Sequence, residues 1–140
     1  MNEAELRQAM STLEIFRAQL ESINQNQQLV QISLEELGRA KETLVQYQKA
    51  NEGDELLVPV GGNSFVFAKV ATNAKAIVGI GTGVSVEKSM DEAIKTMDDR
   101  AAELMESMKK LADRRMAIEE QAAMLSQAVD RELQALQRGP

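Results

Sequence analysis

"AIVGIGTGVSVEKSMDEA", residues 76–93, is the stretch on which the fold turns. An apolar run ends in Gly79, Gly81 and Gly83, and a helix follows, which is the outline of a phosphate-binding loop. A dinucleotide loop, however, needs G-x-G-x-x-G with the helix opening at once, so that its N-terminal amides meet the phosphate. Here the spacing is G-x-G-x-G, position 84 is Val, and VSVEKS, with strand-like alternation, comes before the helix. The helix starts at a capping box, Ser89-Met90-Asp91-Glu92, in which Ser89 caps and Glu92 reaches back. Asp91 and Glu92 would also repel an anion there. The glycines are therefore read as a hairpin turn.

Working outward, residues 53–88 contain ELLVPVG, SFVFAKVA, AIVGIG and VSVEKS, short segments rich in β-branched and aromatic residues. They are bounded by GGN, TNAK and GTG, so the spacing predicts four strands in two consecutive hairpins. Pro59 belongs at an edge or a bulge, where its missing N–H is not needed. Four short strands cannot enclose Val58, Val60, Phe65, Phe67, Ile77, Val78, Ile80, Val84 and Val86 by themselves. Open edges and an apolar face call for other subunits that close a sheet or barrel. These nine residues are the expected oligomerisation surface.

On either side of the insert lies a heptad arm. In the first (1–51), Leu6, Ala9, Leu13, Phe16, Leu20, Ile23, Gln27, Val30, Leu34, Leu37, Lys41, Leu44 and Gln48 step by three and four, and ten of the thirteen are apolar. In the second (89–138), the same stepping runs from Met90 through Ile94, Met97, Ala101, Leu104, Met108, Leu111, Arg115, Ile118, Ala122, Leu125, Val129 and Glu132 to Leu136, with twelve of fourteen apolar. That is the seam of a coiled coil. At helical rise each arm would extend roughly 65–70 Å. Matched lengths predict an antiparallel intramolecular pair, with Gln48 opposite Met90, Leu13 opposite Leu125 and Leu6 opposite Glu132. Gln27, Lys41, Arg115 and Glu132 interrupt the seams; they fix register, and Lys41 and Arg115 can reach water along their stems. The expected fold is thus mainly α with a small β insert: one domain, 1–140, of two coiled-coil helices joined by two hairpins that assemble into an intersubunit β-barrel.

Composition narrows the function. The chain has no His and no Cys, which removes the commonest general base, the usual nucleophile–base pairs and thiolate or imidazole metal sites. No EF-hand loop is present either, so no catalytic residue, cofactor or metal is expected. Absence of Cys favours a reducing cytoplasm. The start MNEAELRQAM is acidic and polar, unlike a signal peptide, and no apolar run is long enough to span a membrane. With 22 acidic against 16 basic residues the net charge is −6, so nucleic acid is not an expected partner. The basic cluster KKLADRR at 109–115 and the polar run NQNQQ at 24–28 read as solvated helix faces.

GDELLVPVGGNSFVFAKV, followed by NAKAIVGIGTGVSVEKSMDEAI, with a heptad arm on each side, closely resembles the prefoldin α-subunit family over nearly the whole chain. Four strands favour the α over the β type, whose insert is a single hairpin. The resemblance implies a hexamer of two α and four β subunits, a double β-barrel platform, and coiled coils projecting from it. It also implies an ATP-independent holdase that captures unfolded proteins and delivers them to a group II chaperonin in an archaeal or eukaryotic cytosol, with archaea the simpler fit. The chain ends LQALQRGP, without the polar, lysine-bearing tail expected of many α-subunits. At the free end of the helix pair, Leu6, Met10, Leu13, Leu125, Val129, Leu133 and Leu136 are the expected client-binding tips, because two helices cannot bury all of them. Six of the eight Met residues fall in the second arm, and those at 105, 116 and 124 lie off the seam, where adaptable thioethers suit promiscuous apolar contact. The competing expectation is a structural or tethering coiled coil without generic chaperone activity.

Overall fold

The computed structural model describes residues 1–139. Helix α1 covers Glu3–Lys49 and is followed by strands β1 (Glu55–Gly61), β2 (Ser64–Lys69), β3 (Lys75–Gly81) and β4 (Val84–Ser89), then helix α2 (Met90–Arg138). The chain divides into two compact units: Met1–Ile32 together with the stretch from Leu104 onward, and Ser33–Glu103.

The heptad spacing decides which residues leave water. Of the α1 seam positions only Lys41 is exposed, and of those in α2 only Leu136; Ala9, Ile23, Met90, Ile118 and Val129 are fully buried. Polar bridges show the antiparallel register inside each unit. In the first, Nη2 of Arg115 donates to Oδ1 of Asn24 at 3.0 Å. In the second, Nε2 of Gln48 donates to Oδ1 of Asp91 at 2.6 Å, and Nζ of Lys41 lies 2.7 Å from Oδ1 of Asp98. Each bridge joins a polar seam residue to the neighbour of its expected opposite. The reason is that these side chains turn out of the seam toward its wet rim, where their charge or amide keeps solvent. Lys41 and Asp98 are both about half exposed, so their attraction contributes less than about 1 kcal/mol and acts mainly on register.

Caps mark the helix ends. Ser89 Oγ accepts from the Glu92 amide at 3.2 Å, as the sequence leads one to expect. At the other helix Asn2 and Glu5 form a reciprocal capping box: Oδ1 of Asn2 accepts from the Glu5 amide at 2.8 Å, and the Asn2 amide donates to Oε2 of Glu5 at 3.2 Å. The C-terminal carbonyls of α1 are satisfied from a distance. Nδ2 of Asn73, in the link between the hairpins, donates to the carbonyls of Gln48 at 3.1 Å and Ala50 at 2.7 Å. At the start of α2, the Met90 amide donates to the Ala74 carbonyl at 2.8 Å.

The two hairpins are separate two-stranded antiparallel sheets, β1 with β2 and β3 with β4. They repeat one design at an interval of twenty residues. Val58 pairs with Val66 as Val78 pairs with Val86, and Gly61 with Ser64 as Gly81 with Val84. The register shifts between Pro59 and Gly61 in one and between Gly79 and Gly81 in the other. Pro59 thus borders a bulge, and the glycines at 79–83 shape a hairpin end. Both turns place positive φ at their two central residues, Gly62 and Asn63 (57° and 58°) and Thr82 and Gly83 (49° and 77°). That is the signature of the type I′ turn, whose twist matches the flanking strands.

Thr82 is the misfit. A β-branched residue in the left-handed region brings Cβ against its own backbone, at a cost of about 1–2 kcal/mol. Asn occupies that region easily, so Thr82→Asn should stabilise the β3–β4 hairpin by about 1 kcal/mol. Native-state hydrogen exchange of the β3–β4 amides should slow by about fivefold; unchanged or faster exchange would show that the turn carries no such strain.

Candidate functional site in the hairpins and helix tips

No helix among the described residues is long and apolar enough to cross a membrane, and no group of three or more acidic residues is placed to hold a metal ion. In the second unit an open groove is lined by Leu44, Tyr47, Ala71, Ile77 and Met90, with Lys75 and Glu87 at its rim. Those two charges pair with each other at 3.8 Å and are largely exposed, an arrangement suited to a surface contact and not to proton transfer in a desolvated site. What the molecule offers is apolar surface.

That surface is densest on the hairpins. Along β1 and β2, Leu57, Val58, Val60, Phe65, Val66 and Phe67 are all exposed, and Phe67 is 84% exposed. Side chains alternate across a strand, so Leu57, Phe65 and Phe67 line one face, while Val58 and Val66 line the other. Both faces of this hairpin therefore meet water. In β3–β4, Ile77, Ile80 and Val84 are exposed, but Val78 is only 3% exposed and Val86 is half-buried. Two side chains of α2 hold this second hairpin down. Arg100 Nη2 donates to the Gly79 carbonyl, and Thr96 Oγ1 accepts from Nζ of Lys88 at 3.1 Å. Covering a phenylalanine or leucine of this kind contributes about 1.5–3 kcal/mol, so the exposed set favours any partner that covers it.

Eight of the nine oligomerisation residues read from the sequence thus keep some or most of their surface in water, and Val78 alone is buried within the chain. Leu57 and Val66 belong to the same surface and were missed. Their signal is the twenty-residue repeat, which sets Leu57 against Ile77 and Val66 against Val86.

In the first unit the seven tip residues fall into two groups. Leu6, Leu13 and Leu125 are half-buried in the seam and Val129 is 5% exposed; Met10, Leu133 and Leu136 are open to water. Beside them Thr12, Phe16, Gln121, Met124, Leu125 and Ala128 line a shallow groove. Met105, Met116 and Met124, the off-seam thioethers, are all more than half exposed. Ile15, Leu29 and Ile32 are likewise exposed on α1, at positions the heptad reading passes over because they lie outside its stepping.

The same architecture is found in known proteins. The prefoldin profile, described as prefoldin subunit, matches residues 16–135. The prefoldin α subunit of Methanothrix thermoacetophila is 35% identical over 109 residues, 78% of this chain and 71% of that one. The prefoldin α subunit of Pyrococcus horikoshii is 34% identical over 110 residues, 78% of this chain and 74% of its own. A chain from the cryo-EM structure of filamentous PFD of Methanocaldococcus jannaschii superimposes with a TM-score of 0.60 at 26% identity, covering 92% of this chain and 98% of that one. Long capped helices joined by two hairpins, with apolar side chains left in water, are thus accompanied by sequence identity along most of the chain: it belongs to the prefoldin family, with the archaeal α subunits.

Proposed function

We propose that this chain is the α-type subunit of an ATP-independent holdase, in which the hairpins hold the complex together and the helix tips capture unfolded proteins. Membership of the family makes it a chaperone subunit that works in hetero-oligomers with β subunits. The finer reading is carried by one observation: exposed apolar side chains are concentrated in the hairpins of one unit and recur at the helix tips of the other. The hairpins would complete a β-barrel platform in a complex of two α and four β subunits. Met10, Leu133 and Leu136, with Leu6, Leu13, Leu125 and Val129 when the tip frays, would supply weak apolar contacts. Repeated on several tips, such contacts hold a client by avidity without a tight single site. Delivery to a group II chaperonin in the cytosol completes the proposal. A second reading, a structural or tethering coiled coil, draws on the relative described as filamentous; it requires no capture of generic unfolded chains.

Three outcomes test this. Phe65→Asp or Ile80→Asp places an unpaired charge in the interface, costing several kcal/mol, so the complex should dissociate on size-exclusion chromatography while circular dichroism stays strongly helical. An unchanged mass would exclude these strands from assembly.

Suppression of aggregation of a denatured enzyme should be equal with ATP, with ADP and with neither. A reproducible ATP requirement would restore the phosphate-loop reading of Gly79–Gly83.

Replacing Leu6, Met10, Leu133 and Leu136 together by Ser removes apolar area from the tips while keeping helix length. At about 25 cal/mol per Å² each lost contact is small, but the loss multiplies over tips acting together, so client capture should fall steeply while oligomer mass is unchanged. Full aggregation suppression by the intact, substituted oligomer would move client binding away from the tips.

A further inference from the structure

Hairpin assembly and apolar tips leave two stretches without a role: the basic cluster KKLADRR at 109–115 and the uncharged run NQNQQ at 24–28. The structure brings them to one level of the helix pair. Nη2 of Arg115 donates to Oδ1 of Asn24 at 3.0 Å, so the residues that follow Asn24 on α1 lie alongside those that precede Arg115 on α2. In the basic cluster Lys109, Lys110, Arg114 and Arg115 stand against a single acid, Asp113. α1 does nothing to neutralise them, because no residue from Ser22 to Ile32 carries a charge. Lys109, Lys110 and Arg114 are exposed, and among the described residues none of the three has an ion-pair partner. Arg115 has one, Glu119, at 4.0 Å. Asn26 and Gln28, also exposed, add amide N–H donors to the same level. The result is a short band of positive charge on a chain whose net charge is −6.

We propose that this band holds a short acidic segment of an unfolded client whose neighbouring apolar residues are engaged at the helix tip. This rests on the tip reading and adds a client class to it: chains in which an acidic run lies close to an apolar segment. Arg115 and Leu125 belong to one compact unit and one helix, about 15 Å apart at helical rise, which an extended chain crosses in about five residues. Charge complementarity selects the occupant. Carboxylates accept hydrogen bonds from lysine, arginine and amide groups alike, and the band presents only donors of those kinds around Asp113. Glu106 and Glu119 bound it on α2, about 20 Å apart. A short acidic run therefore fits between them, whereas a long polyanion such as nucleic acid meets repulsion on both sides and from the chain as a whole. Leu29 and Met116, 63% and 62% exposed, give the band an apolar border on which the rest of the segment can lie.

The test uses the full chain assembled with a prefoldin β subunit, with only the α-type chain varied, and the fluorescence anisotropy of two labelled, unstructured peptides. One carries an apolar segment followed, after about five residues, by a run of glutamates; the other has glutamines in their place. The glutamate peptide should bind about fivefold more tightly at low salt, and the advantage should vanish by about 0.5 M salt. Lys109→Gln, Lys110→Gln and Arg114→Gln together should abolish that advantage and leave the glutamine peptide unaffected. Glutamine keeps helix propensity, so circular dichroism should not change. Arg39→Gln, Lys49→Gln and Lys95→Gln, at exposed helical positions of the other unit, alter net charge equally and should preserve the advantage. An equal loss in both triple variants would assign the effect to overall charge, and an undiminished advantage in the first would place the acidic contact elsewhere; either result overturns the proposal. So would a single-stranded oligonucleotide that bound more tightly than the glutamate peptide and was released by the first triple variant, which would make the band a nucleic-acid site. The tip reading fails separately. Serine at Leu6, Met10, Leu133 and Leu136 should weaken both peptides, and if neither weakened, the tips would be excluded while the salt-sensitive difference between the peptides still reported on the band.

Discussion

Two paired helices have only one line along which side chains can leave water. Everything else in this protein depends on that geometric limit. Among the described residues, the fully buried side chains are Ala9, Ile23, Val70, Val78, Met90, Ala93, Ile118 and Val129, and none is polar or charged. Larger apolar residues off the seam have no second layer behind them. They stay in contact with water, and the scarcity of aromatic residues fits the same limit: one seam has little room for rings, and the strongest exposed ones are on β2.

The seam does not by itself orient the hairpins. That is done by polar groups where the helices meet the insert. Asn73 takes up two carbonyls at the end of α1, Gln48 bonds to Asp91, and Ser89 caps α2. Each of these satisfies a backbone or side-chain group that would otherwise need water, so orientation and hydrogen-bond satisfaction are achieved by the same contacts. Val70 and Met90, twenty residues apart at the ends of the two hairpins, are both buried, which gives each copy of the repeat one apolar anchor.

Much of this was legible in the residues because it follows from spacing. Steps of three and four located the seam, β-branched runs between GGN, TNAK and GTG located the strands, and G-x-G-x-G argued against a phosphate loop. Legibility was lower wherever the outcome depended on which face of a strand meets a helix. Val78 and Ile80 look alike in sequence, yet Val78 is buried while Ile80 is 54% exposed, because the register shift at Gly79–Gly81 separates them. The tips show the same limit. Val129 and Leu133 are both apolar and four residues apart, but one is on the seam and the other is beside it. The Asn2–Glu5 box was overlooked because the heptad stepping begins only at Leu6, beyond it.

The unequal treatment of the two hairpins has a physical consequence. β3–β4 gains two side-chain tethers from α2 and buries Val78, whereas no side chain within β1 or β2 is fully buried. An isolated two-stranded sheet is marginal in water, so β3–β4 has support that β1–β2 lacks before any partner arrives. Phe65 and Phe67 stand where the second hairpin has Ser85 and Glu87, so the less supported hairpin carries the larger apolar side chains. Covering them would offset the cost of ordering β1–β2, so in the proposed assembly the order of that hairpin would be coupled to the arrival of a partner.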